Sequence, residues 1–154
     1  MPEMDVVVNT EVAEVTLLSV PDQPGVAAEV FGTLSAQGFN VEMVNSAPQS
    51  KGKANISFAI QKSELNAVLA IIEPLKRKMG ATEINYNTDI ALVSLSGHQL
   101  SQIPGIASRM FGALSKAGIN IRTVTTSLHS ITCVISSQHA SQARQVLEEE
   151  YKSP

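Results

Sequence analysis

Apolar and polar residues alternate along residues 9–19, "NTEVAEVTLLS", and again along residues 87–97, "NTDIALVSLSG". A period of two is that of a strand with one buried face. Past each strand the period changes. Val26, Val30, Phe31 and Leu34 in one stretch, and Ile106, Met110, Phe111 and Leu114 in the other, fall on one face of a helix. Pro24 or Pro104 opens that helix in its first turn, and Gly38 or Gly118 closes it. Then come "NVEMVNSA" and "NIRTVTTS", followed by "ANISFAI" and "SITCVIS", each pair a predicted hairpin. The first hairpin has the long tip "PQSKGK", the second a shorter one around "LHS". Each copy returns to helix: Leu65, Val68, Leu69 and Ile72 behind a Ser63 cap, and Ala143, Val146 and Leu147. Pro74 is expected to kink or end the first of these.

The pattern is a duplication. Residues 24–41, "PGVAAEVFGTLSAQGFNV", and 104–121, "PGIASRMFGALSKAGINI", share Pro, Gly, Ala, Phe, Gly, Leu, Ser, Gly and Asn, and most other positions exchange like for like. Short strands, "MDVVVN" and "TEINYN", precede each copy. The order predicts an α+β fold, two ferredoxin-like βαββαβ domains with helices on one sheet face. The division is 1–80 and 81–154. The second copy ends in "EEEYKSP" without a closing strand, so an edge strand, 1–10 or 82–88, is expected to belong to the other domain's sheet and interleave the copies.

Composition narrows the function. With 44% apolar and 16% charged residues, 154 residues can bury two small cores. A net charge of −3 with scattered Lys and Arg offers no stripe for phosphate backbones. At 4% aromatics and no Trp, it lacks platforms for stacking bases. A nucleic-acid partner is therefore excluded. A single cysteine rules out an internal disulfide and fits a reducing compartment. "MPEMDVVVNT" has no basic n-region, and no apolar run approaches the roughly 20 residues a membrane span needs. A cytoplasmic protein is the expectation.

The loop "VPDQPGVAA" carries the best chemistry. A helix starting just past it aims unpaired backbone N–H groups at the loop, which favours a carboxylate. Asp22 beside them can pair with an ammonium group, and Gly25 and Ala27 permit close approach. The plainer alternative is that Asp22 caps the helix while Pro-Gly shapes the turn. The second loop, "SGHQLSQIPG", has no matching acid. Asn40 and Asn120 can satisfy turn backbone groups or hold a ligand across an interface. Glu42 and Arg122 sit at equivalent outward positions, solvated or paired between subunits. Cys133, in place of Phe58, reads as a small core residue. His98, His129 and His139 have no HxxxH or CxxC companions, so no metal is expected. No phosphate-binding Gly-x-x-x-x-Gly-Lys-Ser/Thr motif is present, and the lysines of "SKGK" read as a solvated hairpin tip.

Together these residues resemble a known family. "VTLLSVPDQPGVAAEVFGTLSAQGFNVEMV" is similar to the first ACT domain of the aspartokinase regulatory region. "VSLSGHQLSQIPGIASRMFGALSKAGINIRTVTTSLHSITCVI" is similar to its second, and "ARQVLEEEY" to its last helix. The resemblance implies paired ACT domains that bind an aspartate-derived amino acid, threonine or lysine, as feedback effector. It also implies a homodimer whose sheets join side by side, with effector sites between one subunit's first domain and its partner's second. Carried over, the contacts are Asp22, Gln23, Gly25 and Ala27 of the loop, and Met43, Asn45 and Ser46 of the next strand, with Asn120 and Ile121 from the other chain. Ser46 stands where the family usually has glutamine, Leu128 where it has an acid, and His98 and Gln99 where it has small residues.

The kinase catalytic domain of that family is absent, as is any lysine- and glycine-rich nucleotide site, so the chain is not expected to phosphorylate aspartate by itself. It is either the regulatory portion of an aspartokinase, with the catalytic domain as partner, or a free-standing ACT pair. No cofactor is implied. The alternative function is an interaction scaffold without a working effector site, favoured by Ser46 and Leu128. Ferredoxin-like hydrolases resembling acylphosphatase cradle phosphate with an arginine, and "VPDQPG" carries an acid instead.

Overall fold

The computed structural model describes residues 4–98 and 100–151. Its elements in chain order are β1 (Asp5–Asn9), β2 (Val12–Pro21), α1 (Val26–Ala36), β3 (Glu42–Pro48), β4 (Lys53–Gln61), α2 (Leu65–Met79) and β5 (Glu83–Asn87). Then come β6 (Ile90–Ser96), α3 (Ile106–Lys116), β7 (Thr123–Thr126), β8 (Ser130–Ser136) and α4 (Ala140–Tyr151). They form two compact units. One spans Glu11–Thr88; the other joins the chain up to Thr10 with Asp89 onward. The units thus part at 88/89, eight residues beyond the 80/81 division read from the repeat.

In the first unit the sheet order is β3-β4-β2-β5, in the second β1-β6-β8-β7, all pairs antiparallel. Renumbered from the start of each copy, both are the ferredoxin-like order, with strand 1 between strands 3 and 4. β5 closes the first sheet from within its own copy. Among the described residues the second copy has no such strand, and β1 takes the slot, Asp5 opposite Ser96 and Asn9 opposite Leu92. Arg144 on α4 holds it with a bond to the Val8 carbonyl (3.3 Å).

Each sheet buries one face under its two helices. Val15, Leu17, Ile56 and Phe58 pack with Val30, Leu34, Val68 and Ile72 in the first core. Val93, Leu95, Ile131 and Cys133 pack with Met110, Leu114, Ala143 and Leu147 in the second. Each fully buried Leu, Ile or Phe contributes about 1.5–3 kcal/mol. Phe58 also meets Phe31 edge-on at 5.5 Å. Burial raises the Cys133 thiol pKa to about 11.

The repeated glycines close both first helices in the same way. Gly38 and Gly118 adopt left-handed φ of 87° and 77°. Their N–H groups, with those of Phe39 and Ile119, bond back to Ser35 and Leu34 and to Ser115 and Leu114. The apolar residue after each glycine folds onto its core, a Schellman cap that explains "GFN" and "GIN".

Three local expectations are corrected. Pro24 and Pro104 lie outside the helices, in type II turns with Gly25 (φ 93°) and Gly105 (φ 76°), where Val26 N–H and Ile106 N–H close onto Gln23 and Ile103 (both 3.4 Å). Ser63 caps nothing; it sits in a 3-10 turn, Lys62–Glu64, ahead of α2. Pro74 does not end α2, which runs on to Met79 and stops at left-handed Gly80. Buried Ile72 and Leu75 flank the exposed proline, and their burial outweighs the roughly 3 kcal/mol it costs.

Candidate functional site

The type II turn delivers the chain into α1 without a side-chain cap: its N-cap is Gly25 and no side-chain oxygen bonds the first turn. Asp22 is therefore not the cap. Its backbone N–H donates to Gly52 O on the β3–β4 hairpin tip (2.9 Å), and its residue is exposed. Gln23, Gly25 and Ala27 are exposed beside it. The start of α1 thus faces solvent with an acid next to it, an arrangement with complementary ends for a zwitterion.

β3 carries a bulge between Glu42 and Asn45, and Met43 at its centre has φ 54°. Asn45 lies opposite Ser57, on the face where Thr16 and Ser57 share a hydrogen bond (2.9 Å), away from the helices. Ser46 lies opposite core residue Ile56, on the helix-bearing side. The two neighbours thus divide between faces, and Ser46 is the one on α1's side. The bulge also breaks the equivalence of Glu42 and Arg122. Glu42 pairs with Ala59, whereas in the second unit Thr123 holds the matching place opposite Val134. Asn120 is exposed in the loop before β7, and Ile121 is partly buried against the second core.

Two clefts occupy matching positions in the units. The first unit's, of about 420 Å³, is lined by residues including Ser19, Lys51, Lys53 and Asn55. The second's, of about 590 Å³, is lined by Asp5, Ser96, Gly97, His98 and His129. His129 Nδ1 donates to the His98 carbonyl (3.1 Å), with the rings 6.4 Å apart. Sequence reasoning missed Asp5 at this cleft, because only the β1–β6 register brings it beside Ser96. Among the described residues no three His, Cys, Asp or Glu side chains gather as a metal site, and no helix is long and apolar enough to cross a membrane.

The ACT-domain profile matches residues 15–77, and a second ACT-domain profile matches residues 93–151. An aspartate kinase of Stutzerimonas stutzeri is 33% identical over 139 residues, 90% of this chain and 34% of that protein. An aspartokinase of Helicobacter pylori is 34% identical over 140 residues, again 34% of its length. The chain spans about a third of these curated relatives. Among solved structures, the ligand-free regulatory subunit of aspartate kinase from Thermus thermophilus superposes with TM-score 0.89 at 29% identity, covering 96% of this chain and 97% of that one. The regulatory subunit from Thermus flavus gives 0.87 at 28%, covering 99% and 100%. The chain therefore matches the regulatory portion of aspartokinases and not their catalytic domain.

Proposed function

This chain belongs to the ACT-domain family, carrying the domain twice, and from that premise we propose that it is the amino-acid-sensing regulatory module of an aspartokinase. The observation that carries the proposal is the exposed Asp22 beside an uncapped α1 start. The effector's carboxylate takes the Ala27 and Ala28 N–H groups in the first turn of α1, its ammonium takes Asp22, and Gly25 and Ala27 leave room for approach. Gln23, Ser46 and Met43 border the side chain. Asn45, together with Asn120 and Ile121 of a second copy, completes the site across a homodimer. Threonine or lysine is the effector, and an aspartokinase catalytic domain in the cytoplasm is the partner it controls. A ligand that touches both chains favours the closed dimer by its differential affinity, and dimer closure tightens the ligand in return.

Calorimetric titration with threonine, lysine and methionine tests this. We expect heat and a thermal shift with at least one, and Asp22→Asn weakens it about tenfold or more, which is about 1.4 kcal/mol. Silence with all three, in heat and in thermal shift, removes the sensing role. A second reading, an interaction scaffold, draws on Leu128, 68% exposed on the β7–β8 tip. It predicts silent titrations from a protein that still sediments as a dimer.

A further inference from the structure

The cleft of the first unit does not look like an idle hairpin tip. It is bounded by Ser19, Ser50, Lys51, Lys53, Asn55 and Thr82 among others, and none of its lining residues is acidic. Glu83 pairs in register with the lining residue Leu18, the place that Asp5 holds opposite Ser96 in the second unit, and is itself outside the lining. At the matching place the second unit has a carboxylate, Asp5, and two imidazoles. The matched strand place carries an acid in both units, and the divergence lies in the basic groups, two lysines in one lining against two imidazoles in the other.

Backbone geometry converges on the same cleft. Three described non-glycine residues have positive φ, and two of them, Ser19 (59°) and Lys51 (60°), line it. Lys51 and Gly52 (70°) are the central pair of a hairpin turn closed by Lys53 N–H to Ser50 O (3.4 Å). Two positive φ values make it type I′, whose first position favours Asn, Asp or Gly. A lysine held there acts against its backbone preference, the kind of outlier that clusters at ligand sites. Ser19 sits in the β2 bulge, and its N–H donates to Asn55 Oδ1 (3.0 Å). That bond commits the oxygen of Asn55 and leaves its amide nitrogen as the donor. Ser19's counterpart in the second unit is Gly97.

We propose that this cleft binds a compact dianion, a phosphate group or a small dicarboxylate, through the Lys51 and Lys53 ammonium groups and the Asn55 amide. The site is separate from the zwitterion site and does not use the Asp22 carboxylate. The Asp22 N–H on Gly52 O joins the two.

Amide ¹⁵N–¹H spectra of the full chain, at constant ionic strength, are titrated with inorganic phosphate and separately with succinate. Saturable shifts are expected at Ser19, residues 49–55 and Thr82, and at Asp22 through its bond to Gly52. Lys51→Asn suits the turn better than lysine and so keeps the fold; combined with Lys53→Gln it should weaken binding about tenfold or more. Saturation by phosphate alone identifies a phosphoryl ligand, and saturation by succinate a dicarboxylate; either supports the site. Shifts that fail to saturate with both, spread over lysines elsewhere, or persist in the double variant overturn it. The amino-acid titrations stand or fall independently of this result.

Discussion

The two halves of this chain solve one folding problem with different parts. Both use the type II turn at Pro-Gly, the same Schellman cap, and a polar pair bridging strands 1 and 3 of the sheet: Thr16 with Ser57 (2.9 Å), Ser94 with Thr132 (2.7 Å). They differ in the core, in the fourth strand, and at the joint between their helices. In the first core Phe58 fills the strand-centre position against Phe31. In the second, Cys133 stands there, and larger Met110 replaces Val30 in the same cluster. The shared features are two backbone devices and one hydroxyl pair; the divergent ones are the source of the fourth strand, side-chain volume and charge. Duplication preserves what the chain path needs and frees what packing can compensate.

The largest test of that comparison is truncation at the matched core position. Phe58→Ala removes a ring and its edge-on partner contact and should cost about 3–5 kcal/mol. Cys133→Ala removes one sulfur and should cost about 1 kcal/mol. Urea unfolding of both variants measures the difference. Equal costs would mean that the second core depends on Cys133 as heavily as the first does on Phe58.

Alkaline titration sharpens the contrast next. The Cys133 thiol moves from 9.0 to about 11 through burial. Between those values the unfolded chain loses its proton while the folded unit keeps it. Stability is full below pH 9 and declines toward pH 11, by about 2–3 kcal/mol. The Tyr151 hydroxyl, raised mainly by burial, acts in the same direction. Phe58 cannot titrate, so the first unit carries no such loss at this position. Unfolding midpoints of the wild type and Cys133→Ala, compared below pH 9 and near pH 11, isolate the thiol's share.

Much of this was legible in the chain because periods of two and 3.6 survive any tertiary arrangement. The repeat gives the strand that opens each copy, and the structure adds β1 beside β6 at the edge of the second sheet. What was hidden depends on register or on energy balances between distant residues. The bulge at Met43 leaves no mark in "NVEMVNSA" yet shifts the register by one, so that Asn45 and not Ser46 lies opposite Ser57 on the face away from the helices. Pro74 reads as a kink or a stop, and the burial of Ile72 and Leu75 carries the helix through it. Asp5 and Ser96 meet across ninety residues of sequence, through one strand pairing. The lysine tip reads as solvated and Lys51 is indeed exposed, but "SKGK" alone does not reveal its left-handed backbone.

The joint between the helices gives the smallest and most discriminating test. In the first unit Glu29, in the first turn of α1, pairs with Lys78, in the last turn of α2. Each charge sits at the helix end whose dipole favours it. In the second unit the signs are reversed: Arg109 near the start of α3 meets Glu150 near the end of α4 (3.0 Å). Both charges are then at unfavourable ends, and the joint needs other support. Tyr151 supplies it, its hydroxyl donating to Ile106 O (3.0 Å) and its ring lying 4.9 Å from the Arg109 guanidinium, which also bonds the Glu150 carbonyl (3.0 Å). Tyr151→Phe should therefore cost about 1 kcal/mol, the worth of a buried hydrogen bond. Lys78→Ala should cost no more than about 0.5 kcal/mol, because the first pair is exposed and the turn beneath it stands without it. A Lys78→Ala loss as large as that of Tyr151→Phe, read from the same urea midpoints, would show that the reversed charges carry no penalty and that Tyr151 is not their compensation.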